Sequence, residues 1–130
     1  MKKYIEIQKE VIKDYNINLD INSKCRSRTH AHCDKSRRIC KWNYSNSIQA
    51  TFTLFYEIGH IETYRNYMRR CELEFYATEF AIELANKYDL KIPIYIIDSY
   101  QNYIFRELDK DLRRGGTNYL SKEYLTLKSL

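Results

Sequence analysis

Hydrophobic positions recur at helical spacing in four stretches of this 130-residue chain. In the first stretch, Tyr4 to Tyr15, apolar residues fall on one side among Lys and Glu, which predicts a short amphipathic helix. Longer helices are predicted at about 46–64, at about 68–88 and from Ile94 to Arg113. Ser45-Asn46-Ser47 supplies helix-capping side chains before the second helix, and Gly115-Gly116 ends the fourth.

Two shorter stretches between the first and second helices have the composition of β-strands. Thr29 to Asp34 and Arg38 to Tyr44 flank the polar turn Lys35-Ser36-Arg37, so we predict a hairpin. If the turn is centred on Ser36 and Arg37, Cys33 lies opposite Cys40 on the neighbouring strand.

These elements predict an α+β fold, mostly helical, in one domain spanning residues 1–130, with a small antiparallel sheet or hairpin. Hydrophobic residues make up 44% of the chain, and one Pro and three Gly suit a helix-rich core. The tail at 117–130 is weakly patterned. Thirteen tyrosines are unusual, and because each hydroxyl needs a polar partner, we expect them to carry hydrogen bonds or to border a wet cleft.

The chain has no apolar run near the roughly 20 residues that span a bilayer, and its start has no signal-peptide core. We therefore expect a soluble, cytoplasmic protein without a membrane partner. In that compartment the four cysteines, Cys25, Cys33, Cys40 and Cys71, are expected to be reduced thiols or metal ligands and not a disulfide framework.

The segment Tyr56-Glu57-Ile58-Gly59-His60 lies on the second predicted helix and matches the zinc-peptidase pattern H-E-x-x-H at every position except the first. In the intact pattern two histidines one turn apart hold zinc, and the glutamate between them is the general base. Here Glu57 keeps the position of the base and His60 that of one ligand. Tyr56 replaces the other ligand.

The stretch from Phe52 to Ile61, followed by Glu79 to Leu84, resembles the ImmA/IrrE family of small metallopeptidase domains. That family has F-T-L-x-H-E-x-G-H and, one helix later, E-A-x-x-F-A-x-E-L, whose first glutamate is the third zinc ligand. The resemblance covers about residues 49–84 and implies a minimal zincin-like fold. It also implies a regulatory role through a protein partner such as a repressor, because the family is often carried by phages and mobile elements.

Carried over position by position, the resemblance puts Tyr56 at the first ligand and Tyr76 at the third. A phenol has an ordinary pKa of about 10 and is a poorer zinc ligand at neutral pH than imidazole. A remodelled zinc site would use Tyr56, His60 and Glu72, with Glu74 or Tyr76 as alternates and Glu57 as base. The alternative is that the two tyrosines fill the former metal cavity, which leaves a pseudo-peptidase that binds its partner without cutting it.

A second metal site is conceivable before the motif, since zinc-binding residue types cluster there. The candidate ligands are Cys25, Cys33 and Cys40, with His30 and His32 nearby. Their spacing is irregular and has no C-x₂-C pair, so reduced thiols that bind no metal are the alternative. One of these histidines could instead lie on a strand that borders the groove near His60.

The predicted hairpin also carries most of the positive charge of the protein. The formal net charge is +5, and residues 24–41 alone carry +6 from seven basic side chains and one acid. The candidate patch for nucleic acid or for an acidic partner comprises Arg26, Arg28, Lys35, Arg37, Arg38 and Lys41. Trp42 and Tyr44 could add base stacking, although no recognised nucleic-acid motif accompanies the patch.

Overall fold

The computed structural model describes residues 3–20, 31–34 and 38–115. Within these ranges the chain is mostly helical, which confirms that part of the predicted fold class. The elements are α1 (Tyr4–Asp14), β1 (Asn18–Asp20), β2 (Ala31–Asp34), β3 (Ile39–Trp42), α2 (Ile48–Thr63), α3 (Arg70–Lys87) and α4 (Ile94–Arg113). The weakly patterned tail at 117–130 lies outside the described residues.

Helix α2 is the centre of the fold and has buried side chains on every side. Its first turn is capped by Ser47, whose hydroxyl accepts a hydrogen bond from the amide of Ala50 at 3.0 Å. Phe52, Leu54 and Phe55 are fully buried, and no acidic residue lies in its first turn. A helix that is apolar on all faces must be surrounded by other elements, so α2 can present side chains to several neighbours at once.

Helix α1 is attached to the start of α2 by a buried glutamine. Gln8 Nε2 donates to the carbonyl oxygen of Ser45 at 2.8 Å and to the Thr51 hydroxyl at 2.9 Å. The Thr51 hydroxyl in turn donates to the carbonyl oxygen of Ser47 at 2.8 Å. These buried hydrogen bonds fix the segment that enters α2.

The three described strands form a sheet in the order β1-β3-β2. Strands β2 and β3 are antiparallel and pair Cys33 with Cys40, which is the predicted register. The parallel pairing of β1 with β3, in which Asn18 faces Ile39, was not predicted. Cys40 and Trp42 point into the main core and are almost completely buried.

Helices α2 and α3 approach closely at Gly59. A Cβ atom built at this position would lie 2.7 Å from the carbonyl oxygen of Ala77 and 3.1 Å from the Cβ of Phe80. Only glycine leaves room for this approach. The contact brings side chains of α3 against the motif on α2.

Helix α4 begins after Pro93, whose carbonyl oxygen accepts the first helical hydrogen bond, from the amide of Ile96, at 3.0 Å. Ile96 packs into the main core, whereas Ile104 and Leu108 form a second apolar cluster with Cys71 of α3. Helix α4 packs on α3 and contacts α2 through Tyr100, and residues of α2 and α4 form the walls of a cleft. None of the helices in the described ranges combines the length and the apolar character that crossing a bilayer requires.

The expected thiol state of the cysteines is corrected at one position. Cys40 is disulfide-bonded, contrary to the prediction that it is a reduced thiol or a metal ligand. A disulfide forms wherever two sulfur atoms come within bonding geometry, which the spacing of cysteines along the sequence does not determine. Cys71 takes part in no disulfide and is buried between α3 and α4.

Candidate functional site

The residues of the motif on α2 lie in two environments, the wall of a cleft and the buried interface with α3. Tyr56 and Glu57 are half-buried and line the cleft, whereas His60, one turn later, is buried against α3. There His60 Nε2 lies 3.3 Å from Oε2 of Glu74, which is also buried. The structure therefore brings together the predicted ligand His60 and the alternate carboxylate Glu74.

The preferred carboxylate of the sequence analysis, Glu72, is not beside His60. Its Oε1 accepts a hydrogen bond from the backbone amide of Arg69 at 3.3 Å, at the N-terminus of α3. Tyr76, the other alternate, packs its ring on the neighbouring Phe75 with 5.3 Å between centroids. Residues 72 and 76 lie beside the buried face of α3, which includes Glu74, Ala77 and Thr78.

Tyr56 packs against two other rings in the place where the motif has its first histidine. Its ring centroid lies 4.5 Å from that of His60 and 4.8 Å from that of Tyr100 on α4. Both contacts are T-shaped, a favourable arrangement for aromatic pairs. Tyr56 is thereby part of an aromatic stack that joins the imidazole of α2 to α4.

Tyr100 is held at the other end of this stack by a hydroxyl contact. Its hydroxyl oxygen lies 3.2 Å from the Thr53 hydroxyl oxygen, and its ring also packs on Phe52 with 5.0 Å between centroids. Burial raises the pKa of Tyr100 above its ordinary value of 10.0, and the negative charges of Glu57 and Glu74 raise it further, although the Thr53 hydrogen bond opposes them. At neutral pH Tyr100 therefore keeps its proton and can donate a hydrogen bond.

The cleft between α2 and α4 has a volume of about 610 Å³. Its walls are rich in hydroxyl groups, from Ser45, Ser47, Thr53 and Ser99, and in tyrosine rings, from Tyr56, Tyr100 and Tyr103. Glu57 and Arg106 are the charged residues on the described wall. Aromatic faces with hydroxyl donors and acceptors suit a bound chain that offers both apolar side chains and backbone amides.

At the α4 side of the cleft, two arginines contact one tyrosine. Arg70 Nη2 of α3 donates to the Tyr103 hydroxyl at 3.2 Å. The guanidinium carbon of Arg106 lies 5.7 Å from the centroid of the same ring. Tyr103 thus orients two cations that the sequence analysis did not single out.

The donor atoms present were tested against the requirements of a catalytic zinc. Tetrahedral nitrogen and oxygen ligands at ~2.0–2.1 Å from zinc lie roughly 3.3 Å from each other, so His60 Nε2 and Glu74 Oε2 have the separation of two ligands of one metal. However, no cluster of three or more His, Cys, Asp and Glu side chains suited to a metal occurs within residues 3–20, 31–34 and 38–115. Because a catalytic zinc takes three protein ligands and a water molecule, and Tyr56 packs its ring on the imidazole, these residues do not fit it.

Most of the second predicted metal cluster lies outside the described residues. This applies to Cys25 and His30, and to the side chains of Cys33 and His32. Cys40 is described, and its disulfide excludes it as a thiolate ligand in this state.

The basic patch is described only at Arg38. Its guanidinium contacts a carboxylate oxygen of Glu62 and the carbonyl oxygen of Tyr15, so Arg38 joins the start of β3 to α1 and α2. The other predicted members of the patch, Arg26, Arg28, Lys35, Arg37 and the side chain of Lys41, fall outside the described residues. In the described part of the chain Arg38 therefore forms a structural ion pair, and its predicted role in the patch stays a prediction.

Sequence reasoning missed the α4 wall of the cleft, namely Tyr100, Tyr103 and Arg106. These residues recur every three positions on a helix with a strong apolar face, so they share one side of α4. That spacing was a usable signal. The partner of this side could not be identified, because contacts such as Thr53 with Tyr100 join residues 47 positions apart.

No protein-family model, no curated protein and no solved structure matches this chain.

Proposed function

We propose that the chain is a regulatory pseudo-peptidase that binds a segment of a partner protein in the cleft between α2 and α4 and does not hydrolyse it. In this proposal the chain has an α+β, zincin-like scaffold related to ImmA/IrrE metallopeptidases. It comes from a phage or another mobile element and acts in the cytoplasm on a partner such as a repressor.

The observation that supports this proposal is the packing of Tyr56. A metal ligand must aim a donor atom at the position that His60 Nε2 also faces, whereas Tyr56 stacks its ring between His60 and Tyr100. The Tyr56 ring therefore fills the space between the imidazole of His60 on α2 and the ring of Tyr100 on α4. Glu57 remains on the cleft wall, where a carboxylate accepts hydrogen bonds from amide groups of a bound segment.

The cleft is large enough for several residues of a peptide, and its wall is fixed from three directions. Gln8 fixes the entry to α2, Thr53 contacts Tyr100, and Ile96 anchors α4 in the main core. Pre-formed walls lower the entropy that is lost on binding. A rigid, hydroxyl-rich cleft suits selective recognition of an extended segment.

Elemental analysis of the purified protein tests the loss of the metal. We expect far less than one zinc ion per chain, and we expect the same low zinc content in the His60→Ala variant. Near-stoichiometric zinc that disappears in His60→Ala would overturn the proposal and favour an active zinc endopeptidase. The 3.3 Å separation of His60 Nε2 and Glu74 Oε2 is the observation in favour of that second candidate.

Panning a random-peptide display library on the full chain tests binding in the cleft. Enriched peptides should remain uncleaved and should lose affinity for Gln49→Trp, which places a large ring in the cleft. Gln101→Trp makes the same exchange at an exposed position of α4 away from the described cleft wall and should bind normally. Equal binding by both variants would contradict the proposal.

A further inference from the structure

Two guanidinium groups contact Tyr103. Tyr103 and Arg106 line the cleft, and Arg70 lies next to this lining on α3. Arg70 reaches the ring hydroxyl from the first turn of α3, with 3.2 Å between Nη2 and the oxygen. Arg106, one turn after Tyr103 on α4, places its guanidinium carbon 5.7 Å from the ring centroid. Both arginines are exposed, so an incoming group can reach them.

The neighbouring acids are already engaged by other cations. Asp111 Oδ1 lies 3.2 Å from Arg69 Nε, and Glu107 Oε1 lies 3.2 Å from Lys110 Nζ. Within residues 38–115, neither Arg70 nor Arg106 has a carboxylate at ion-pair distance. Neither guanidinium is therefore bound to a carboxylate of these residues, although the nearby charge of Glu107 raises the pKa of Arg70.

We infer that the segment bound in the cleft is acidic, with an Asp or Glu side chain held by Arg70 and Arg106 beside Tyr103. This inference rests on the proposed function, because it assigns the chemistry of the segment that the cleft binds. The guanidinium group matches a carboxylate with two parallel hydrogen bonds. The Tyr103 hydroxyl oxygen and ring restrict the two side chains, so less rotamer freedom is lost when the carboxylate binds.

The other charged group of the cleft gives the bound segment a direction. Glu57 is the acidic residue on the described wall and lies close enough to Tyr100 to raise its pKa. A carboxylate of the ligand is repelled there and attracted beside Tyr103. The residue that lies next to Glu57 is therefore uncharged or basic.

The same charges favour a peptide over a nucleic acid. A nucleic-acid strand carries a phosphate at every nucleotide and needs a continuous row of cations along its path. On the described cleft wall, Arg106 is balanced by Glu57, and hydroxyl groups and tyrosines make up much of the remaining wall. One localised pair of cations fits one or two acidic side chains in an otherwise uncharged segment.

Peptides selected from a random-peptide display library on the full chain, and sensitive to Gln49→Trp, provide the test. We expect Asp or Glu to be enriched at one position, and Arg70→Gln and Arg106→Gln each to lower the affinity about three- to tenfold. Lys87→Gln removes the same charge near the other end of α3, roughly 25 Å away along the helix axis, and should leave the affinity unchanged.

Three other outcomes are distinguishable. If no peptide is sensitive to Gln49→Trp, the proposed function itself fails. If cleft-binding peptides show no acidic preference and bind Arg70→Gln and Arg106→Gln normally, only the acidic-segment inference is overturned. If a single-stranded oligonucleotide, and no peptide, loses affinity for the two arginine variants, the cations belong to a nucleic-acid site and the inference is also overturned.

Discussion

Glu74 Oε2 lies 3.3 Å from His60 Nε2 across the interface between α2 and α3. Fourteen residues separate the two along the chain, and the approach of the helices at Gly59 brings the side chains together. The pair has the spacing of two metal ligands, while the Tyr56 ring packs in a T-shaped contact against the imidazole of His60, with 4.5 Å between centroids. One residue, Tyr56, thus decides between a metal site and an aromatic stack.

Tyr56→His should create zinc binding where the native chain has little. The new imidazole lies one turn before His60, so three ligands become available with Glu74. A zinc concentration about 100-fold above the dissociation constant should raise the free energy of unfolding by about 2.7 kcal/mol. Isothermal titration and thermal unfolding with and without zinc measure this. Tyr56→Phe is the matched control, because it adds no ligand, and equal behaviour of the two variants would argue against a vacant third position.

Glu74→Gln and Glu72→Gln should behave differently in the Tyr56→His protein. Glu74 faces His60, so its loss should weaken zinc binding by at least about 10-fold. Glu72 accepts from the Arg69 amide, so its loss should cost only about 0.5–1 kcal/mol of helix-capping stability. Zinc titrations and urea unfolding of both variants separate the effects. The reverse order of zinc affinities would restore Glu72 as the ligand.

Gly59→Ala should destabilise the protein although alanine favours helices. The added Cβ would lie 2.7 Å from the Ala77 carbonyl oxygen, a backbone atom that cannot rotate away. We expect a net loss of up to about 2 kcal/mol, because an overpacking cost of about 1–3 kcal/mol opposes a propensity gain of up to about 1 kcal/mol. Urea unfolding measures it. Asn102 is exposed on α4, so the difference in stability between Asn102→Ala and Asn102→Gly gives the gain in helix propensity alone. If Gly59→Ala stabilised the protein by that same amount, the added Cβ would meet no opposing contact.

Arg38→Ala should reduce stability, because the guanidinium is a structural link. It contacts Glu62 of α2 and the Tyr15 carbonyl oxygen after α1, and both contacts are partly buried. Because Arg38 is more than a third exposed and solvent weakens its ion pair, we expect a loss of about 1 kcal/mol. Arg65→Ala is the control, since Arg65 is exposed and its guanidinium donates to the adjacent Tyr64 carbonyl oxygen, a contact within the same loop. Chemical unfolding of both variants measures the difference, and an unchanged midpoint in Arg38→Ala would return this residue to the candidate nucleic-acid patch.

The sequence predicted the elements well because their signals are local. Helix α4 has the predicted bounds, and α2 and α3 begin and end within about two residues of theirs. Strand β1 was missed because three residues, Asn18–Asp20, carry no alternation, and only pairing with β3 makes them a strand. A backbone partner that lies about 20 residues away cannot be recognised from so short a stretch.

Sequence reasoning could place the site residues relative to one another only where they lie on the same helix. His60 and Glu57 follow from the spacing on α2, whereas Glu74 was ranked below Glu72 because the alignment to a family pattern does not fix which residues of α3 face inward. The buried positions Cys71, Glu74, Ala77 and Thr78 repeat at three and four residues and give that phase once the neighbours of α3 are known. The contact between α2 and α4 cannot be predicted from local sequence patterns, and the cleft that the two helices form was therefore not predicted.

The protein should lose stability at alkaline pH through two tyrosines. Burial and the nearby charges of Glu10 and Asp14 raise the pKa of Tyr88 from 10.0 to about 12, and burial raises the pKa of Tyr100. Below about pH 10 both phenols are protonated in the folded and the unfolded chain, so their contribution to stability is constant. As the pH rises from about 10 toward 12, the unfolded chain releases protons that the folded chain retains, so the free energy of unfolding falls.

Urea unfolding across this range measures the slope of the free energy of unfolding against pH. This slope should be smaller for Tyr88→Phe and Tyr100→Phe than for the native chain. Tyr67→Phe, at an exposed position, is the matched control for loss of a hydroxyl. A slope that neither Tyr88→Phe nor Tyr100→Phe reduces would assign the alkaline loss to other groups and contradict the burial of both phenols in the folded chain.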